Sequence, residues 1–183
     1  MPLDFNGGYA MKRKEIKTER LTLREMNTDD WKDYVSHVVE EDEIYVQYGC
    51  EATKELLDEI QEPTQGVIYY SIRRTDSDQP VGYIGVFEEN DNIEFYIYKE
   101  HRNHHYCTEA LKAFLKEYMD GEMTGEKHES VFAETLSENK PSCRVLENAG
   151  FKKEGIGIGF SIDEETEKIS CQSARRIYLY KED

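Results

Sequence analysis

The sequence predicts an α+β chain whose central sheet is mixed, mostly antiparallel and about seven-stranded. Three observations carry that expectation. Residues 67–98 hold three runs rich in β-formers, separated by two short polar turns. Residues 93–136 then read strand, helix, strand, a unit that lays its two strands parallel with the helix as crossover. Residues 153–180 close the chain as a hairpin.

The elements follow in order. The first fifteen residues, with Gly7-Gly8, read as a loose N-terminal extension, and 16–183 as one domain. Leu21-Thr22-Leu23 alternates with Arg20 and Arg24, as a strand with one polar face does. Thr28-Asp29-Asp30 offers an N-cap and an acidic first turn. Trp31, Tyr34, Val35, Val38 and Val39 then keep helical spacing to about Glu40. Ile44–Gly49 is an aromatic loop, and a second helix is expected from about Thr53 to Ile60, before Pro63. Strands follow at Val67–Arg73, Val81–Phe87 and Ile93–Tyr98, with turns at Asp76–Pro80 and Glu88–Asn92. Leu111, Phe114, Leu115, Tyr118 and Met119 mark an amphipathic helix that Gly121 and Gly125 stop. Ser130–Leu136 is a strand, Pro141–Asn148 a short helix capped by Gly150, and Lys153–Ile162 with Lys168–Tyr180 the closing hairpin.

Composition narrows the function classes. The formal net charge is −16, so nonspecific nucleic-acid binding, which needs clustered basic residues, is not expected. The same acidity favours the approach of cationic substrates, and serves solubility in any case. Cys50, Cys107, Cys143 and Cys171 form no CxxC pair, as expected of reduced cytoplasmic thiols. No apolar run reaches membrane-spanning length, and Met11-Lys12-Arg13-Lys14 precedes a polar stretch rather than a signal-peptide core, so no membrane association is expected. His101, His104, His105 and Cys107 sit close together, but zinc sites draw ligands from two separated places and this cluster has no second half, so no metal is expected.

The junction between the strand at Ile93–Tyr98 and the next helix is the first candidate site. A loop feeding a helix N-terminus offers free backbone N–H groups and the positive end of a dipole, which suits an anion. Arg102 adds charge there, and the loop Arg102-Asn103-His104-His105-Tyr106-Cys107 holds no glycine. Read alone, Arg102 and the histidines are equally well solvated loop residues.

Four segments in order resemble the GCN5-related N-acetyltransferases, in the branch that includes the ribosomal-protein N-terminal (Rim-type) acetyltransferases. They are Thr18-Glu19-Arg20-Leu21-Thr22-Leu23-Arg24, Gly82-Tyr83-Ile84-Gly85, His105-Tyr106-Cys107-Thr108-Glu109-Ala110, and Asn139-x-x-Ser142 running to Gly150-Phe151. The resemblance spans about residues 16–180. It implies three layers, with helices on both sheet faces and two parallel strands splayed at the cofactor site. It implies acetyl-CoA as cosubstrate, with the pantetheine arm between the strands at Ile93–Tyr98 and Ser130–Leu136. Backbone groups near Ile97 and Tyr98 would hold that arm and polarise the thioester. Arg102, Asn103, His104, His105, Tyr106, Cys107 and Thr108 would cradle the pyrophosphate, and Asn139 would bind the arm near the thioester. The acceptor would be a primary amine, on a protein N-terminus or a small molecule, and the chain a monomer or homodimer. A noncatalytic acyl-CoA-binding domain is the alternative.

The reaction that the resemblance implies asks for a base. An ammonium has no lone pair, and removing its proton at pH 7 costs about 4.6 kcal/mol for a lysine and about 1.2 kcal/mol for an α-amine. The resemblance points to Glu94 for that task, and Glu134 on the neighbouring strand is a second candidate; an outward strand carboxylate is the plain reading of Glu94. Ser142 is the counterpart of a serine considered as proton donor to the leaving thiolate, with helix capping as its plain reading. Leu146 stands where many relatives carry a tyrosine acid. His105 and Cys107 occupy positions where the family has glycine or alanine. A left-handed conformation at either would cost on the order of 1–2 kcal/mol. The histidines would offset it, so CoA is expected to bind more tightly at pH 6 than at pH 8.

Overall fold

A computed structural model describes residues 13–40, 66–162 and 169–181. The expected helix at Thr53–Ile60, the aromatic loop Ile44–Gly49 and the hairpin turn at 163–167 lie outside them. Eight strands are found among the described residues: β1 Ile16–Lys17, β2 Leu21–Glu25, β3 Val67–Arg74, β4 Pro80–Phe87, β5 Asn92–Ile97, β6 Val131–Leu136, β7 Lys152–Ile162 and β8 Ile169–Tyr180. Three α-helices accompany them: α1 Thr28–Glu40, α2 Tyr106–Met119 and α3 Lys140–Ala149. The strands form one sheet in the order β1-β2-β3-β4-β5-β6-β8-β7. Only β5 and β6 are parallel, and α2 is their crossover. β1 was not expected; at two residues it is too short to show a period, yet its Ile16 is buried in the core.

The sheet is covered on both faces. One face carries Leu21, Ile68, Tyr70, Ile84, Val86 and Val131, packed with Leu111, Phe114 and Leu115 of α2 and Leu146 of α3. The five residues whose spacing predicted α2 are all buried there. The other face carries Tyr69, Tyr83, Tyr96 and Tyr98, packed with Trp31 and Tyr34 of α1. The result is three layers in an α+β fold. The tyrosines explain how α1, a polar helix, is held: four phenol rings bury large areas against two of its side chains.

Local chemistry sets the element ends. Asn27, rather than Thr28, caps α1: its Oδ1 accepts from the N–H groups of Asp29 and Asp30 at 2.9 and 3.0 Å. Asp30 Oδ2 accepts the Asn27 N–H in return, a reciprocal capping box. Asp30 is buried and also meets Arg73 and Arg24 at 2.9 and 3.2 Å, which ties α1 to β2 and β3. Gly150 closes α3 at φ 105°, donating to Glu147 O. Gly121 ends α2, where a Cβ would meet the Glu126 backbone at 2.6 Å.

Candidate active site

The site grows out of the one parallel pair. β5 and β6 meet at a single register position, Asn92 opposite Phe132, with Phe132 N–H donating to Asp91 O at 2.9 Å. Beyond that point they separate. Residues facing each other in an antiparallel pair alternate between exchanging both backbone bonds and exchanging none. Tyr98 N–H donates to Val81 O, so Phe95 and Ile97, opposite Ile84 and Gly82, turn their N–H and C=O groups away from β4 and toward β6. On β6, Ser137 N–H donates to Ala174 O, so Glu134 and Leu136 turn theirs toward β5. The V between the strands is therefore edged by backbone donors and acceptors. An extended chain carrying amides fits such an opening as an added strand does.

The helices α2 and α3 both begin beyond the carboxyl ends of β5 and β6, so both N-termini stand at the open end of the V. Lys99–His101 makes a short 3-10 turn, and α2 starts at Tyr106. Tyr106, Cys107 and Thr108 are therefore its first turn rather than loop. His105 immediately precedes it at φ 62°, ψ 12°, and Asn103 also has positive φ, at 65°. Of the two glycine-like positions, His105 is the left-handed one, while Cys107 is helical and buried. Burial pushes the Cys107 thiol well up, so it stays protonated. His105 makes no side-chain cap, and the first amides of a helix have no intrahelical partner. His104 and His105 are exposed, the former stacked on Tyr106 with centroids 5.4 Å apart.

Arg102 folds back. Its Nε donates to Ile97 O at 3.0 Å, and its guanidinium lies 5.3 Å from the Tyr96 ring centroid. It closes the loop onto the end of β5 beside the V. Tyr98 is buried, with its hydroxyl donating to Asp33 at 3.0 Å and its ring stacked on His37 at 3.8 Å. That side chain anchors α1, and the Tyr98 N–H belongs to the β4–β5 ladder. Asn139 caps α3, accepting the Ser142 N–H at 3.2 Å. Ser142 thus sits in the first turn of α3, near the end of β6. Leu146 is a core residue.

Glu94 lies on the α1 side of β5, level with Glu134 on β6. The residue is half-buried, with its carboxyl oxygen Oε1 enclosed rather than turned outward. Burial raises its pKa, and hydrogen bonds from Tyr69 and Tyr83 pull partly the other way. Its Oε1 is buried without a hydrogen-bond partner among the described residues, as is Ser137 Oγ at the end of β6. An unpaired buried oxygen marks a place where a polar ligand or water completes the bonding. On the same face a cavity of about 270 Å³ is lined by Asn90, Asn92, Phe132, Glu134 and Ile177. Tyr69, Tyr83 and Ser137 were not singled out from the sequence. The strand alternation put Tyr83 on Glu94's face, but only register brings Tyr69 there.

Gly82 and Gly85 of the second quoted segment have structural roles on β4. A Cβ at Gly82 would stand 2.0 Å from Tyr96 O, so only glycine lets β5 approach there. Glu109 explains two other segments together. Its carboxylate accepts from Thr18 Oγ1 at 2.5 Å, Arg20 N at 3.1 Å and Arg20 Nε at 2.8 Å, joining α2 to the β1–β2 turn.

A mixed sheet opened at one parallel pair, with two helix N-termini at the mouth, defines the acetyltransferase fold that the segments resembled. The acetyltransferase (GNAT) domain family matches residues 20–152, and the chain belongs to that family. No curated protein sequence matches it. Among solved structures it is similar to a GNAT-family acetyltransferase from Bacillus anthracis, at 22% identity and TM-score 0.71 over 92% of this chain and 98% of that one. It is also similar to the ribosomal-protein-S5-alanine acetyltransferase of Vibrio fischeri, at 11% identity and TM-score 0.68 over 93% and 97%. A third is spermidine N-acetyltransferase from Vibrio cholerae, in complex with CoA and spermine, at 13% identity and TM-score 0.68 over 90% and 96%.

Proposed function

We propose that this chain moves an acetyl group from acetyl-CoA to a primary amine by direct attack. The observation that carries the reading is Glu94: a half-buried residue with a raised pKa and an enclosed Oε1 without a partner among the described residues, on a strand that edges the V. Acetyl-CoA supplies the activated acetyl thioester. The chain's own groups divide the remaining work. The Phe95, Ile97 and Glu134 backbones hold the pantetheine amides along the V. The amides of Tyr106, Cys107 and Thr108 meet the pyrophosphate, with the α2 dipole behind them. Glu94 accepts the ammonium proton, directly or through one water, and its raised pKa makes it a better base than an exposed carboxylate. Ser142, in the first turn of α3, donates to the leaving thiolate, or solvent does. The body of the acceptor lies over Phe132 and Ile177, with Glu134 drawing in its charge.

Family membership supports acyl transfer. An amine acceptor is supported by two of the similar proteins, one named for a ribosomal-protein alanine and one bound to spermine. A noncatalytic CoA-binding role draws on Arg102, whose guanidinium is engaged by Ile97 O and the Tyr96 ring rather than turned outward. One experiment separates the two. Thiol release from acetyl-CoA is followed with a panel of α-amines, diamines and lysine peptides, alongside CoA binding by calorimetry. The catalytic reading expects turnover that falls about 100-fold or more in Glu94→Gln while CoA still binds. Tight CoA binding with no turnover on any amine overturns it.

A further inference from the structure

Tyr69, Gly85 and Glu94 form one line across three strands. Tyr69 is opposite Gly85 in the β3–β4 ladder, and Gly85 is opposite Glu94 in the β4–β5 ladder. Residues in such a row share a face, and two strand spacings separate its ends, about 10 Å. No residue with a side chain at the middle position would let the ends meet. A Cβ built on Gly85 would stand 2.6 and 2.7 Å from two carbons of the Tyr69 ring. The ring therefore lies across the bare backbone of Gly85, which leads its hydroxyl along the row toward Glu94 on the far strand. Tyr83, two residues before Gly85 on the same face of β4, stands diagonally beside the same carboxyl, and both phenols favour its ionised form. Oε1 has no partner among the described residues.

We infer that Tyr69 and Tyr83 are positioning residues for Glu94, and that the glycine at 85 is the slot through which Tyr69 reaches it. Two phenol hydroxyls hold one oxygen of the carboxylate and turn the other toward the substrate. The bonds also favour the ionised form, against the burial that favours the protonated one. The inference rests on Glu94 acting as the base. Among the described residues the other ionisable groups on this face include Asp30, Asp33, Tyr34 and His37 of α1, Arg24 of β2 and Arg73 of β3. They also include Tyr96 of β5 with Tyr98 just beyond it, and Glu134 of β6, with Arg102 over the Tyr96 ring.

The test reads the Glu94 carboxyl directly. Protein with isotope-labelled glutamate is titrated by NMR, and the Glu94 signal is assigned by its loss in Glu94→Gln. Tyr69→Phe keeps the ring and removes the hydroxyl. The titration midpoint is expected to rise by about one pH unit, the size of one lost bond to a charged group. Gly85→Ala displaces the ring and is expected to raise the midpoint as well, with no further rise when added to Tyr69→Phe. A merely structural tyrosine gives the opposite sign, because loosened packing admits water and lowers the midpoint. An unmoved or lowered midpoint in Tyr69→Phe overturns the inference; if that variant does not fold, Tyr83→Phe is read the same way. The pH profile of kcat/KM follows the same shift, with about tenfold less activity in Tyr69→Phe below the midpoint and nearly full activity above it. If Glu94→Gln keeps full acetyl transfer, the functional reading falls, while the NMR titration still decides the positioning.

Discussion

Glu94 shows how much one residue's surroundings matter. Alternation along β5 assigns it a side, but not whether that side is water or protein. The answer is partly protein: the residue is half-buried, and its Oε1 is enclosed without a partner among the described residues. The consequence for stability has a definite sign. A carboxyl whose pKa is raised in the fold binds its proton more tightly there than when unfolded. Its contribution is therefore present below the unfolded value, near 4.3, and is lost as pH rises through the folded value. Glu94→Gln has no such loss. Its melting temperature relative to the parent chain should increase from about pH 4 to about pH 8. A difference that stays flat or shrinks over that range would mean Glu94 is not buried as described. His105 is the second residue of this kind. Its left-handed backbone is the conformation glycine adopts freely, reached here at the cost of strain at the N-terminus of α2.

Elements are joined by a few charged contacts, and Glu109 is the clearest. Burial alone would raise its pKa, but hydrogen bonds from Thr18 and Arg20 hold it below the usual carboxylate range. A depressed carboxylate adds stability above the unfolded pKa that is lost as pH falls through the folded one. Glu109→Gln should cost about 1–2 kcal/mol at pH 7 by urea unfolding, with the gap closing in acid. A constant gap would point to packing instead of charge. The α2 junction carries a prediction about binding. With His104 and His105 exposed at its start, CoA affinity measured by calorimetry should be higher at pH 6 than at pH 8, and His105→Gly should reduce that ratio. An affinity that is flat with pH would leave the backbone amides and dipole as the whole of the anion site.

At the scale of the molecule, the charge of −16 is the property an acceptor meets first. Long-range attraction for a cationic amine is screened by salt, with a Debye length near 10 Å at about 0.1 M and near 3 Å at about 1 M. The KM for a diamine should therefore rise several-fold over that range, while the KM for a neutral or zwitterionic amine changes little. Equal salt dependence for both would assign the acidity to solubility alone. No helix among the described residues is long and apolar enough to cross a membrane.

Much of this architecture was legible in the sequence, and for a physical reason. Secondary structure follows from local periods: five apolar positions at helical spacing specified α2, and β-rich runs between polar turns specified β3, β4 and β5. Such patterns need only neighbours in the chain. The two-residue β1 is too short to have a period, and the cap of α1 moved by one residue because Asn27 and Thr28 both suit it. What the tertiary structure alone decided is register and adjacency. β8 lies between β6 and β7, an order that no local signal encodes. The line from Tyr69 through Gly85 to Glu94 depends on two ladders at once, and on residues 25 positions apart in the chain. A single-residue slip in either ladder would turn Tyr69 or Glu94 to the opposite face. The chain by itself determined that a carboxyl would stand on the strand beside the V. Packing determined how far it is buried and which of its oxygens is enclosed without a partner among the described residues.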